Sequence, residues 1–229
     1  MRTTLITGTT KGIGNSSCKH FINKNHRVIS VSRSEIDFSH ENLFHYKIDI
    51  THSMSKTIID KIISNEKINN CIINAGVSNS AMFHKMTFEE WHNTLNTNLI
   101  SIYNILNPVI NNMRLNNKGN VLLVSSVLGK TGNIGASNYA SSKSGIYGLT
   151  KSLALENASK NILVNSISPG YINEGMGKMF NDSYKASIIE KIPLKKFGEK
   201  NDIISITDYF LEHNKYITGT DIDINGGLY

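Results

Sequence analysis

The chain has 229 residues, 39% of them hydrophobic and 18% charged, with 17 Gly and only 3 Pro. That length predicts one domain, able to bury a core without covalent staples. Two cysteines exclude a disulfide scaffold and a four-ligand zinc site, and the 8 histidines form no His-Glu-x-x-His cluster, which argues against a metal enzyme.

The formal charge of +6 is carried by lysines spread along the whole chain. A nucleic-acid binder would cluster its basic residues on one face with aromatics between them, so the charge fits an acidic small molecule or an acidic partner protein better. Met1–Gly8 turns glycine-rich too soon for a signal peptide, and no apolar run approaches the ~20 residues of a membrane span. The expectation is a soluble cytoplasmic protein of a reducing compartment, with Cys18 and Cys71 as buried thiols.

In chain order, short apolar runs rich in β-branched residues alternate with helical stretches. The runs 4–7, 28–31, 44–48, 71–73, 121–124, 162–167 and 222–224 predict seven strands. Helical patterns fall near 13–24, 54–66, 88–115, 139–158 and 201–213. Strand–helix alternation predicts an α/β fold, a single doubly wound parallel sheet with helices on both faces. No repeat or linker interrupts it, so residues 1–229 form one domain. Residues 33–43 are too short for the helix that doubly wound folds usually place there. Residues 173–200 carry no strand pattern and are expected to form a small mobile insertion. Phe88 and Trp91, opening the fourth helix, are read as packing residues.

Three constellations carry chemistry. The first is Thr7-Gly8-Thr9-Thr10-Lys11-Gly12-Ile13-Gly14, after the first strand and opening a helix. Glycines there allow a tight turn and close approach of backbone to a pyrophosphate, and the helix N-terminus offers free N–H groups and a positive dipole end. The spacing is neither Gly-x-Gly-x-x-Gly nor a Walker A loop.

The second is Tyr139 and Lys143, one helical turn apart on a shared face. A neighbouring ammonium favours the phenolate and brings tyrosine into range as a general acid–base group. Tyr147 and Lys151 repeat the spacing. Counting back thirteen residues from Tyr139 reaches Ser126 at the end of the fifth strand, whereas the same count from Tyr147 reaches Ile134, which can do no polar chemistry. The Tyr147 pair is therefore read as an ordinary helix face, and Tyr147→Phe is expected to leave turnover nearly intact. The third constellation is Asn74-Ala75-Gly76 after the fourth strand, with Asn98 further on. Singly these asparagines are weak evidence in so Asn-rich a chain.

In this order the motifs, with Pro169-Gly170 after the sixth strand, resemble the short-chain dehydrogenase/reductase family over essentially the whole chain. The similarity is greatest to its 3-oxoacyl-[acyl-carrier-protein] reductase branch, echoed in Ile192–Gly198, Tyr216–Gly219 and Asn225-Gly226-Gly227. The resemblance implies an enzyme in which Tyr139 donates a proton to a ketone oxygen, Ser126 orients that oxygen, Lys143 lowers the tyrosine pKa and holds the nicotinamide ribose, and Asn98 positions a relay water. It implies that Asn74, Ala75 and Gly76 line the cofactor, that Asp49 with Ile50 meets the adenine, and that Pro169, Gly170 and the Ile172 N–H wall the nicotinamide. It further implies a homotetramer built on helices 88–115 and 139–158, with the C-terminus at 226–229 reaching a neighbour. Residues 173–200 become a substrate lid, where Met176, Met179 and Phe180 suit an acyl chain or simple packing.

Two departures stand out. Glu174 occupies the place of the family's usual Thr, where a carboxylate would repel cofactor phosphates and leaves the carboxamide contact open, with Asn173 as a candidate substitute. The helix between strands two and three is missing.

Cofactor choice is read from charge. An acidic residue ending strand two would bind free ribose hydroxyls, but here Ser32 and Arg33 stand there, and Lys11 lies in the glycine loop. Charge-assisted bonds contribute about 1.5–3 kcal/mol each, so the pair favours NADP(H). The substrate expected is a 3-oxoacyl thioester on acyl carrier protein, with Lys118 and Lys160 as basic residues for that acidic carrier. The alternatives are a reductase of a sugar, polyketide or other small ketone, and a cofactor-binding protein without turnover.

Overall fold

The computed structural model describes residues 1–175, 177 and 180–229; Met176 and Met179 lie outside the described residues. Seven parallel strands run β1 Thr3–Thr7, β2 Arg27–Ser32, β3 Leu43–Lys47, β4 Ile68–Ile73, β5 Gly119–Val124, β6 Ile162–Pro169 and β7 Asp221–Ile224. They form a single sheet in the order β3-β2-β1-β4-β5-β6-β7. Residues alternate between its faces because successive side chains of a strand point oppositely. Leu5, Ile29, Cys71, Val121 and Val164 belong to one buried cluster, and Ile6, Val28, Ile72, Leu122 and Ile167 to the other.

The first cluster is covered by α2 (Ser55–Ile63), α4 (Ile102–Leu115) and α6 (Ser137–Asn157), through Ile59, Ile105, Val109 and Ile146. The second is covered by α1 (Gly12–Asn23) and α8 (Lys200–Asp208), through Cys18, Phe21 and Ile203. With helices on both faces, nearly every strand is buried on both sides, which is why the strands read as continuous apolar runs. Strand order reverses between β1 and β4, and in open α/β sheets the crevice at such a switch point is where ligands bind.

The helical reading needs three corrections. The stretch 88–115 is not one helix. It starts as α3 (Phe88–Leu95), opened by a capping box in which Glu90 N–H donates to Thr87 Oγ1 at 3.2 Å and Thr87 N–H donates to Glu90 Oε2 at 2.8 Å. A π-helical turn, Asn96–Ile100, then separates it from α4. Such a turn inserts residues without breaking the apolar period much, so periodicity alone does not expose it. The stretch 201–213 likewise ends in a π-helical turn, Tyr209–His213.

The third correction is inside 173–200, which contains helix α7 (Asp182–Lys191), capped by Asn181 Oδ1 accepting from Tyr184 N–H at 2.8 Å. Only Ile188 of that helix is buried, and it joins Ile192 and Phe197 in a small cluster apart from the main core, so its periodic signal is weak. Between β2 and β3 no helix intervenes, as expected. Phe88 is 80% exposed and stacks on the His92 ring of its own helix, outside the core. Among the described residues, no helix is long and apolar enough to cross a membrane.

Candidate active site

At the C-terminal ends of β1, β4, β5 and β6 lies a cleft of about 770 Å³. The loop after β1 forms one end. Gly8 and Gly12 have φ of 71° and 62°, which a side chain would strain. A Cβ on Gly8 would come 2.8 Å from the Ala75 Cα, and one on Gly14 would collide with the Gly8 carbonyl oxygen. The glycines therefore let this loop close on the β4 loop and start α1.

Asn74 stitches the two loops together. Its side-chain amide donates to the Thr7 carbonyl at 3.2 Å and the Gly8 carbonyl at 3.0 Å. Thr7 Oγ1 accepts from the backbone N–H of Asn74 at 3.0 Å and of Ala75 at 3.1 Å. Thr7 is a bracing residue that the motif reading passed over, although it stands in the motif. Thr9 is fully buried and faces away from the cleft, its hydroxyl 2.5 Å from Ser30 Oγ. Ser30 Oγ is in turn 2.9 Å from His45 Nδ1, and His45 Nε2 is 3.1 Å from the Ser34 carbonyl. This polar chain braces the short connection after β2, where the customary helix is absent.

Lys11, Gly12, Ile13, Ser32, Arg33, Asp49 and Ile50 line the same end. Lys11 and Arg33 are exposed, and Ser32 is buried with its hydroxyl donating to the Ser34 carbonyl at 2.8 Å. Partial burial pushes the Asp49 carboxyl up, but bonds from the Thr51 N–H and hydroxyl, and the nearby Arg33 charge, outweigh it and hold the group below its usual value. Beyond Ile172, which bridges to Gly198, the chain folds over the glycine loop, so that a Cβ on Gly12 would come 3.3 Å from the Gly175 Cα. Glu174 lines the cleft on this segment.

At the other end stand Ser126, Tyr139 and Lys143, 8%, 8% and 4% exposed. Ser126 follows β5, and the N–H groups of its neighbours Ser125 and Val127 donate to the Ile167 carbonyl at 2.8 Å and the Pro169 carbonyl at 3.0 Å. Tyr139 and Lys143 project from α6. Lys143 Nζ donates to the Val124 carbonyl at 2.8 Å and lies 5.8 Å from the Tyr139 ring centre. Burial lowers the Lys143 ammonium to about 8. Burial likewise raises the Tyr139 phenol, against a lowering hydrogen bond with Ser126. At Tyr139 the cost of burying a phenolate therefore outweighs the Ser126 bond.

The π-helical turn brings Asn98 inward. Its Oδ1 accepts from the Val77 N–H at 2.8 Å, and its Nδ2 donates to the Val77 carbonyl at 2.9 Å and to Ser142 Oγ at 3.1 Å. A Cβ on Gly76 would come 3.3 Å from Asn98 Oδ1 and 3.6 Å from Lys143 Nζ, so the β4 loop, the turn and α6 converge there. Val77, held by backbone bonds alone, gave no signal in its residue type. Pro169, Gly170 and Ile172 wall the cleft beside Ser126.

Tyr147 is not an ordinary helix face. Its hydroxyl donates to the Ser126 carbonyl at 2.8 Å and lies 3.1 Å from Ser168 Oγ. The repeated spacing was a poor discriminator: the residue eight positions past Tyr139 still falls on the helix stripe that faces the sheet. Lys151 is exposed, as expected of a solvated partner.

A glycine-cradled crevice at the switch point of a parallel sheet, ending in a buried Ser, Tyr and Lys, defines a Rossmann-type oxidoreductase site. The family model described as short chain dehydrogenase matches residues 2–185. The chain is 31% identical to the 3-oxoacyl-[acyl-carrier-protein] reductase of Vibrio cholerae, with 98% of this chain and 96% of that protein covered. It is 33% identical to the acetoacetyl-CoA reductase of an Acinetobacter species over the same shares of both chains. Among solved structures, ElxO with NADP bound superposes with a TM-score of 0.92 at 28% identity, covering 99% of this chain and 98% of that one. The chain belongs to the short-chain dehydrogenase family.

Proposed function

We propose that the protein is an NADPH-dependent ketone reductase whose substrate is a 3-oxoacyl thioester, carried on acyl carrier protein. The observation that carries this reading is the convergence of Ser126, Tyr139 and Lys143 at one end of a cleft whose other end is the glycine loop. The relatives named for 3-oxoacyl and acetoacetyl thioesters support the substrate class.

The residues fit a phosphorylated dinucleotide, because the glycine loop is cleared of side chains and the adenosine end carries two exposed cations. The backbone N–H groups at the start of α1 hold the pyrophosphate. Arg33 and Lys11 hold the 2′-phosphate, Ser32 leaves it room, and Asp49 with Ile50 meets the adenine. Ala75 and Gly76, braced by Asn74, line the middle, while Pro169, Gly170 and Ile172 wall the nicotinamide. When bound, NADPH supplies the hydride. Ser126 donates a hydrogen bond to the substrate carbonyl oxygen, and Tyr139 delivers the proton that converts it to a hydroxyl. Lys143 holds the ribose hydroxyls and passes protons on to Tyr139, and Asn98 keeps the relay beside it in register.

Residues 1–229 act as one domain, with 173–200 as a lid over the cleft. Phe197 of that lid stacks on the Tyr171 ring just before it at 5.6 Å, and Tyr171 and Phe180 line the cleft, an apolar surface suited to an acyl chain. Lys118 is exposed and Lys160 bonds to Asn117 Oδ1 at 3.0 Å, but both precede the N-terminal ends of β5 and β6, the opposite edge of the sheet from the cleft. Within one subunit they do not flank its entrance, and it is the named relatives that support the carrier. A cytoplasmic location agrees with two free buried cysteines. Measuring NADPH oxidation with acetoacetyl thioesters against a panel of sugar, polyketide and simple ketones tests the substrate class. Thioesters are expected to give the highest kcat/KM. Turnover of another ketone alone would favour a different biosynthetic pathway, and no turnover at all would leave a cofactor-binding protein.

The assembly is a homotetramer built on α4 and α6. Ile100, Tyr103 and Leu155 are 55%, 61% and 83% exposed, beside a groove between these helices, and closed symmetric assemblies are the usual way to cover such a face. Light scattering at micromolar concentration is expected to give a mass four times that of the chain, and a monomeric mass would refute the assembly.

A further inference from the structure

Taking Ser126 as the residue that orients the substrate carbonyl, a reading on which this inference rests, we propose that Tyr147 is a positioning residue for Ser126, locked in place by Lys130 and Asp221. Tyr147 Oη donates to the Ser126 carbonyl at 2.8 Å, and the same carbonyl accepts from the Gly129 N–H at 2.9 Å. The Ser126 peptide is thus held both by the short helix α5 (Leu128–Thr131) that follows it and by α6. Gly129 leaves the space this needs, since a Cβ there would come 2.8 Å from Tyr147 Oη.

The phenol is fixed from behind. Ser168 donates to Asp221 Oδ2 at 2.8 Å, and its Oγ, 3.1 Å from Tyr147 Oη, is a second acceptor for the phenol proton beside the Ser126 carbonyl. Ser166 donates to Asp221 Oδ1 at 2.6 Å. Lys130 Nζ meets Asp221 at 2.7 Å and Asp223 at 2.8 Å, and stands 5.4 Å from the Tyr147 ring centre. Lys130 sits on α5, so the circuit returns to the turn it started from. It ties the Ser126 turn to α6, β6 and β7, with the Lys130 and Asp221 side chains only 17% and 14% exposed.

Tyr147, Ser168, Asp221 and Lys130 do not line the cleft and so touch no reacting atom, and the hydrogen bond that links Tyr147 to the site is the one to the Ser126 carbonyl. Small displacements of a positioned group cost catalysis steeply, because the hydrogen bond to the reacting oxygen depends on geometry. The Ser126 hydroxyl accepts from the Leu128 N–H at 3.2 Å, so the turn that the circuit holds also sets this side chain.

Tyr147→Phe removes one oxygen. It is expected to lower kcat about ten-fold while KM and NADPH affinity stay within about two-fold, the pattern of an interaction felt in the transition state. In a Ser126→Ala background the same substitution is expected to cost nothing further, because interacting residues are non-additive. The readout that does not need turnover is amide hydrogen exchange over residues 125–131. Protection there is expected to fall in Tyr147→Phe and in the charge-free pair Lys130→Gln with Asp221→Asn, with β4 and β5 unchanged, and to be kept in Lys130→Arg. Parental kcat in Tyr147→Phe, an equal loss in the Ser126→Ala background, or unchanged exchange over 125–131 would overturn the proposal. If the parent protein reduces no ketone, the reading of the site fails, and the exchange measurement still decides whether Tyr147 holds the turn.

Discussion

Tyr139→Phe lowers ketone turnover by about 10²–10⁴-fold, the range a lost general acid–base group accounts for, and leaves NADPH affinity nearly unchanged. The substitution deletes only the phenol oxygen, so the ring still fills its place on α6, where it is 8% exposed. Burial holds the phenol above its ordinary pKa, against the bond with Ser126. The group therefore carries its proton at neutral pH, the state that reduction requires of a donor. The 2.8 Å bond of Lys143 to the Val124 carbonyl does not involve the phenol oxygen, so the lysine keeps its place in the variant. Steady-state turnover beside a fluorescence titration with NADPH separates the two effects. The loss should exceed that of Tyr147→Phe by at least ten-fold or so if, as proposed, one residue supplies the proton and the other holds a turn. Equal losses from the two substitutions would sink the choice of Tyr139 as the donor.

What the sequence disclosed follows from what is buried. Leu5, Val31, Cys71, Leu123 and Val164 lie between two layers of helix and must be apolar, so the strands and their order of appearance are legible as runs. The glycine loop is legible because Gly8 and Gly14 stand where a side chain would strike the backbone, a demand only one residue type meets. Ser126 and Tyr139 are linked by a spacing that spans α5 and its turn. The two π-helical turns are not legible, because an inserted residue leaves the adjoining helix amphipathic. Asn98 could be singled out, but its inward orientation depends on such a turn. Helix α7 was hidden because it packs on its own small cluster. Tyr147 was misjudged because its partner is a backbone carbonyl, which every residue possesses. The balance of burial against the Ser126 bond at Tyr139 is likewise a property of the packed cleft.

Arg33→Asp turns the preference from NADPH towards NADH. Arg33 follows the last residue of β2, and the turn that carries it is fixed by Ser32 and His45, which both bond to the Ser34 carbonyl. The shortened β2–β3 connection puts no helix over this end, leaving Arg33 and Lys11 exposed at the rim of the cleft. A guanidinium meets a phosphate with two parallel bonds, whereas an ammonium acts as a point charge. Losing one charge-assisted contact costs about 1.5–3 kcal/mol, so NADPH affinity is expected to fall at least ten-fold or so. The new carboxylate repels the 2′-phosphate and can accept from the free ribose hydroxyls of NADH, which adds to the switch. Lys11→Ala is expected to act in the same direction with a smaller effect. Because both cations are exposed, the discrimination should weaken with salt and be steepest at low ionic strength. Binding of both cofactors to the parent and to each variant at two salt concentrations tests this. A parent that already prefers NADH, or an Arg33→Asp variant that loses both cofactors equally, would remove Arg33 and Lys11 from the 2′-phosphate site.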